Sequence, residues 1–262
     1  MRRTFRAIAI ALACLSARAD NMIVVMRHAG AAAVQPSQVG SVLQYAITTA
    51  NSGTVSTTIT VPNDATFMVV GISGFKATAA YFSGGVMKMT KGGADTAMTV
   101  AKTGANSGDN STLAFMVAMF YIVAPDTGAN KTLKWDWIGT GTATNAPKIS
   151  VTFWKGVDQT TPVRGAAGGQ AIGETYTSGT ITAETGDLIV AWVGAYTGGG
   201  EGTADTFTNV SLLSQISVYG TSDGAWATGS PTGNTTAECT TSTNWEDGSI
   251  VARTAGTPQG GV

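Results

Sequence analysis

The chain has 262 residues, a formal net charge of −1 and only 12% charged residues, against about 25% in an average soluble protein. A balance so near neutral leaves no electrostatic footprint for nucleic acid or for an anionic membrane surface. With 34 Gly and 41 Thr, strand-favouring β-branched residues and turn-forming glycines dominate, and the expected class is all-β. Trp, Tyr, Phe, Val and Ile recur in regular clusters, which sets the chain apart from disordered polar sequences. Two distant cysteines, Cys14 and Cys239, and a single His build neither a disulfide framework nor a zinc site. Both thiols are expected unpaired, and no cofactor is expected.

In chain order, "MRRTFRAIAIALACLSARAD" (1–20) has the three parts of a secretory signal. Arg2, Arg3 and Arg6 come first, residues 7–15 are apolar, and Ala17-Arg18-Ala19 offers a cleavage site before Asp20. The apolar part is too short for a membrane span of about 20 residues. The same segment also reads as an arm that docks on a partner. "NMIVVMRHAG" (21–30) resembles the opening of a histidine phosphatase, which would make His28 the nucleophile and Arg27 a phosphate ligand. That family uses a second His, and this chain has one. It also alternates strands with long amphipathic helices, whose periodicity is missing after residue 50. The phosphatase reading is therefore rejected. "AGAAAVQPSQVG" (29–40) reads as a linker of small residues. An arm or signal-like segment (1–35) thus precedes a single β-sandwich domain (36–262).

From residue 41 short apolar and Thr-rich stretches alternate with Gly, Asn, Asp and Pro turns. Strands are expected near 42–49, 54–61, 66–75, 80–90, 96–102, 112–123, 131–138, 147–155, 178–183, 187–196, 209–219, 225–228, 235–241 and 248–253. "FMVAMFYIV" (115–123) is apolar at every position, which marks a strand buried on both faces or one whose outer face a partner covers. "TTITVPNDATFMVVGISGF" (57–75) and "GTITAETGDLIVAWVGAY" (179–196) share an order of strand, acidic turn and apolar strand. They are expected to be related hairpins facing each other across a sandwich. So many strands exceed a seven-strand immunoglobulin domain and suit a jelly-roll-like antiparallel sandwich of two packed sheets. Its weakly charged edges would be covered by neighbouring subunits.

Several constellations have chemical readings. "KWDWIG" sets Trp135 and Trp137 on one face of a strand with Asp136 on the other. Paired rings of this kind stack on a sugar or pack in a core, and core packing is the preferred reading. Trp226 and Trp245 lie among Gly and Thr and are expected to be the more exposed pair, so Trp135, Trp137, Trp226 and Trp245 form the candidate contact surface. A glycosidase needs two carboxylates roughly 5–10 Å apart. Asp136, Asp158, Glu174, Asp187, Glu201, Asp205 and Glu238 are present, but most sit in turn contexts and nothing pairs them. "SGDNS" (107–111) and "TGGGEGTAD" (197–205) have calcium-loop composition without calcium-loop spacing, and no metal ligand is assigned. "GAAGG" (165–169) precedes no helix, so it reads as a mobile loop and not as a phosphate cradle. Met68, Met87, Met89, Met98, Met116 and Met119 are expected to fill the core.

"KISVTFWKGVDQTTPV" (148–163) followed by "SGTITAETGDLIVAWVGAY" (178–196) resembles a β-sandwich family of bacteriophage structural and tail-fibre-like proteins and some bacterial surface proteins. The matching positions are Trp154, Gly156, Val157, Asp158, Thr161, Pro162, Gly186, Asp187 and Leu188, and the likeness spans roughly residues 55–255. Asp158 and Pro162 are expected to shape a turn. The resemblance implies a jelly-roll-like fold, no catalytic residues and an assembly or adhesion role. The expected protein is a non-enzymatic virion component: a capsid decoration, fibre or tail-associated protein. Its partners would be itself, as a homo-oligomer, and other virion proteins, with no nucleic acid and no membrane span. The alternative is a secreted or cell-surface carbohydrate-binding module whose signal at 1–19 is cleaved and whose partner is a host surface glycan.

Overall fold

A computed structural model describes residues 22–26, 35–46, 53–76, 85–103, 114–137, 148–171, 175–177, 180–196, 204–216, 222–229, 233–235, 238–241 and 247–253. These residues form strands and turns, with no helix among them. The first eleven strands are β1 (Met22–Met26), β2 (Ser37–Gln38), β3 (Leu43–Ala46), β4 (Gly53–Val61), β5 (Phe67–Lys76), β6 (Val86–Lys91), β7 (Ala94–Ala97), β8 (Thr99–Thr103), β9 (Ala114–Val123), β10 (Gly128–Trp137) and β11 (Lys148–Lys155). Ten more follow: β12 (Val163–Ala171), β13 (Thr175–Thr177), β14 (Ile181–Ala183), β15 (Leu188–Tyr196), β16 (Ala204–Thr208), β17 (Ser211–Ile216), β18 (Ser222–Gly229), β19 (Gly233–Thr235), β20 (Glu238–Thr241) and β21 (Asp247–Arg253).

Three antiparallel sheets stack as layers. The central layer runs β2-β11-β5-β9-β8, with β3 also on β11. Its backbone is a long unbroken ladder, in which β5 and β9 pair from Phe67↔Val123 to Lys76↔Ala114. Side chains alternate across a strand, so each central strand presents two faces. One face carries Met68, Val70 and Ile72 of β5, Ala118, Phe120 and Ile122 of β9, and Ile149, Val151 and Phe153 of β11. It packs on Ile59, Val61, Met87, Met89, Leu133 and Trp135 of an outer layer ordered β4-β10-β6-β7. The other face carries Phe67, Val69, Val117, Met119 and Trp154. It packs on Ile189, Val190, Trp192, Trp226 and their neighbours in a second outer layer ordered β1-β12-β21-β15-β18-β17, in which β1 also pairs β15. Two small sheets, β13-β20-β16 and β14-β19, complete the pairings.

The all-β antiparallel sandwich expected from composition is therefore present. Its stacked layers number three, where a jelly roll has two. The uninterrupted apolar run 115–123 lies in the middle layer, and both of its covers come from the same chain. Three further expectations need correction. Met22–Met26, assigned to the N-terminal arm, is a strand that pairs β15 from Met22↔Trp192 to Met26↔Leu188, so the sandwich begins before residue 36. The "GAAGG" stretch lies inside β12, which pairs β21 from Ala167↔Ala252 to Ala171↔Gly248. Its glycines remove side chains without removing the backbone's ability to build a ladder. The two related segments are arches and not hairpins, because β4 and β5 lie in different sheets, as do β14 and β15. Their second strands do face each other, through Gly71 and Trp192.

Candidate functional site

The expected contact surface consists of four tryptophans, and the structure describes two of their side chains. Trp135 is fully buried between the central and β4-β10-β6-β7 layers, as its preferred reading required. Trp226 is fully buried too, which corrects the expectation that it is exposed. Its small neighbours Ala225, Ala227 and Thr228 made it look like a surface residue, but they belong to β18, which pairs β17 along its length. The backbone of Trp137 ends β10, and its side chain lies outside the described residues, as does Trp245 altogether. Neither Trp135 nor Trp226 presents its ring to a ligand outside the chain.

Instead, Trp226 takes part in a buried polar seam that sequence reasoning missed. Its Nε1 donates to Ser150 Oγ at 2.7 Å, and Ser150 Oγ donates to the Leu43 carbonyl at 3.0 Å. Trp226 also meets Trp192, with ring centroids 4.8 Å apart and a 47° tilt. Trp192 lies flat on Gly71, where a Cβ would fall 2.5 Å from the ring, so this layer contact requires glycine. Trp154 Nε1 donates to Thr152 Oγ1 at 3.0 Å. Ser73 and Lys148 stand opposite each other in the β5–β11 register, both buried. The signal was present in "KISVTFWK": Lys148, Ser150, Thr152 and Trp154 alternate with Ile149, Val151 and Phe153. A serine beside a lysine is a familiar nucleophile–base pair. Here Ser73, Ser150 and Lys148 are buried between two layers, and the hydrogen bond from Trp226 to Ser150 ties those layers together.

The carboxylates are equally committed to structure. Asp187 Oδ2 accepts from the Glu184 backbone N–H at 2.7 Å and from Arg164 Nε at 3.1 Å, and Arg164 Nη1 reaches Glu184 Oε1 at 2.5 Å. This clamp ties the β14–β15 arch to β12. Burial pushes the Asp187 carboxyl up to about 7, against the opposing pull of the Glu184 N–H and Arg164. Asp158 Oδ1 accepts from the backbone N–H groups of Thr160 and Thr161 at 2.8 and 2.9 Å. That is the turn expected after β11, which begins at Gly156 with a φ of 75° that side chains disfavour. Asp136 pairs with Lys88 and Thr54 on the solvent face of β10, and the hydrogen bond from Lys88 is the foremost reason its carboxyl is held below the usual range. Among the described residues, no three His, Cys, Asp or Glu side chains gather to hold a metal ion. Glu174, Glu201 and residues 107–111 lie outside the described residues, and so do Arg27, His28 and Cys14.

No family model matches the chain, and no curated protein matches it. Among solved structures it is similar to the crystal structure of dimeric latent PorU from Porphyromonas gingivalis, at 13% identity and a TM-score of 0.26. The match covers 88% of this chain and 22% of that one. A superposition of that quality carries no argument about fold or function.

What the described surface offers is sheet edges. β4 closes one side of its layer, with β10 as its single neighbour among the described residues. Its sequence, GTVSTTITV, has nine residues with no charge and no proline. Thr54, Ser56, Thr58 and Thr60 point to solvent, while Ile59 and Val61 are buried. The irregularity in its pairing lies on β10, where Gly128 and Lys131 span only Val61 to Ile59, so β4 itself is straight. Edge strands are ordinarily blunted by charge, proline, bulges or shortness. β17, the uncharged edge of the β1-containing layer, is six residues long and bulged between Leu212 and Ser214. β7 carries Asp95, and β8 carries Lys102. Among the described residues, β4 has none of these protections.

Proposed function

We propose that this protein is a non-enzymatic structural component of a virion, in a decoration, fibre or tail-associated position, acting through subunit contacts. The observation that carries the reading is the unprotected nine-residue edge β4. A long, straight, uncharged edge is a template for another strand, and main-chain pairing of this kind joins subunits without a chemical site. The burial of Ser73, Ser150, Lys148 and Asp187 and the place of Asp158 in a turn agree with it, while Asp136 is paired with Lys88 on the solvent face. The place in a virion rests on the resemblance of residues 148–163 and 178–196 to phage sandwich proteins. Burial of Trp135 and Trp226 removes two of the four rings on which a glycan-binding reading depended.

The test is intact mass of the natively produced protein, run beside size-exclusion chromatography and fractionation of particles. The expected result is an oligomeric or particle-bound species that retains residues 1–19. A monomeric secreted species that starts at Asp20 would overturn the reading.

A further inference from the structure

We propose that β4 pairs antiparallel with β4 of a second copy, about a two-fold axis through Thr57. The resulting sheet is continuous across two protomers and runs β7-β6-β10-β4 into β4-β10-β6-β7. The inference deepens the assembly reading by naming the edge, the partner and the register.

The occupant follows from the strand's own pattern. Isologous contacts place residue i opposite residue j and j opposite i, so a self-pairing strand has to match its own reverse. Read about Thr57, GTVSTTITV does so. Ser56 falls opposite Thr58 and Thr54 opposite Thr60, all exposed hydroxyl residues on the solvent face. Val55 falls opposite Ile59, and Gly53 opposite Val61, on the face that packs against the central layer. Val55 is half-buried, whereas Ile59 is closed off. An opposite Ile59 from the second copy would cover Val55 and extend the same core across the axis. Thr–Thr, Thr–Ser and β-branched cross-strand pairs of this kind are favourable.

The charges agree with a second copy. On the solvent face the charged side chains of this layer are Lys88, Lys134, Asp95 and Asp136. All stand on β6, β7 or β10, at least one strand in from the edge. Lys88 is paired with Asp136, and Lys134 with Asp95 at 2.6 Å, inside one protomer. The Lys134 row continues through Ser56 and would meet Thr58 and then Thr132 of the second copy. Like charges therefore do not face each other across the axis on the solvent face, and Lys131, in register with Ile59 on β10, would lie in a row with Val55 and Trp135 of the second copy.

The test is sedimentation velocity of the full chain over a dilution series, with two surface variants. Wild type is expected to show a reversible dimer. Ser56→Lys/Thr58→Lys places like charges opposite each other twice and should weaken the dimer about tenfold. Ser56→Lys/Thr58→Glu carries the same first substitution but places opposite charges across the axis, and it should dimerise at least ten times more tightly than the first variant. A dimer that neither variant changes, or that both weaken equally, overturns the β4 register. A monomer at every concentration overturns self-pairing alone. The assembly reading would then stand on contacts with other particle proteins, which the mass and fractionation experiment decides independently.

Discussion

The two faces of the central sheet are built from the same three strands and solve packing differently. Toward the β4-β10-β6-β7 layer the face carries Val, Ile and Met side chains with Phe120 and Phe153, in one cluster with Met87, Met89 and Trp135. Toward the β1-containing layer it carries tryptophans, a glycine that admits one of them, and the hydroxyls of Ser150 and Thr152. Flexible thioethers fill irregular space and tolerate exchange. Fitted rings and directional hydrogen bonds tolerate little, because a displaced partner leaves either a cavity or an unsatisfied polar group. One face thus supplies bulk burial and the other fixes how the layers align.

The largest effect is expected at Trp192. Trp192→Ala opens a cavity against Gly71 and Trp226, and should lower stability by about 3–5 kcal/mol in urea titration. A loss as small as that of a surface substitution would place this interface elsewhere. Next comes Ser150→Ala, which leaves the buried Trp226 Nε1 without its acceptor. The expected cost is about 1–3 kcal/mol, partly recovered when Trp226→Phe is added, since that removes the stranded donor as well.

Asp187 sets a pH dependence on the same side of the molecule. Its folded pKa is raised to about 7, so the native state binds the proton more tightly than the unfolded chain does. The contribution is complete below the ordinary carboxylate range and is lost as pH rises through about 7. Melting temperature of the wild type should fall relative to Asp187→Asn across that interval. Parallel curves would mean that the Arg164 pair keeps the carboxylate ionised throughout. The smallest effect belongs to the methionine-lined side: Met89→Leu should cost less than about 1.5 kcal/mol. A cost equal to that of Trp192→Ala would erase the contrast between the two faces.

How much of this was legible depended on where side chains carry the signal. The run 115–123 announced a doubly buried strand because alternation disappears only when both faces are covered. Asp158 announced its turn through a short side chain that bonds its own backbone. β12 was hidden because Gly165, Gly168 and Gly169 give no pattern, although their backbone pairs as well as any other. Trp226 was misread because local polarity says little about a ring that a distant layer covers. The arches were misread as hairpins because a strand–turn–strand sequence does not reveal which sheet its second strand joins. The clamp at Asp187 was half visible: the carboxylate stood out, but Arg164, twenty-three positions away, became its partner only through the fold.

The central sheet is sealed on both faces by layers of its own chain. Residue-resolved hydrogen exchange of the intact protein tests it most directly. The amides of β5, β9 and β11 should exchange last and close to the rate of global unfolding, while those of the β7 and β8 edges should exchange far sooner. Exchange along β9 as fast as along β8 would contradict it, because a strand covered on both faces by its own chain opens only when a layer comes away.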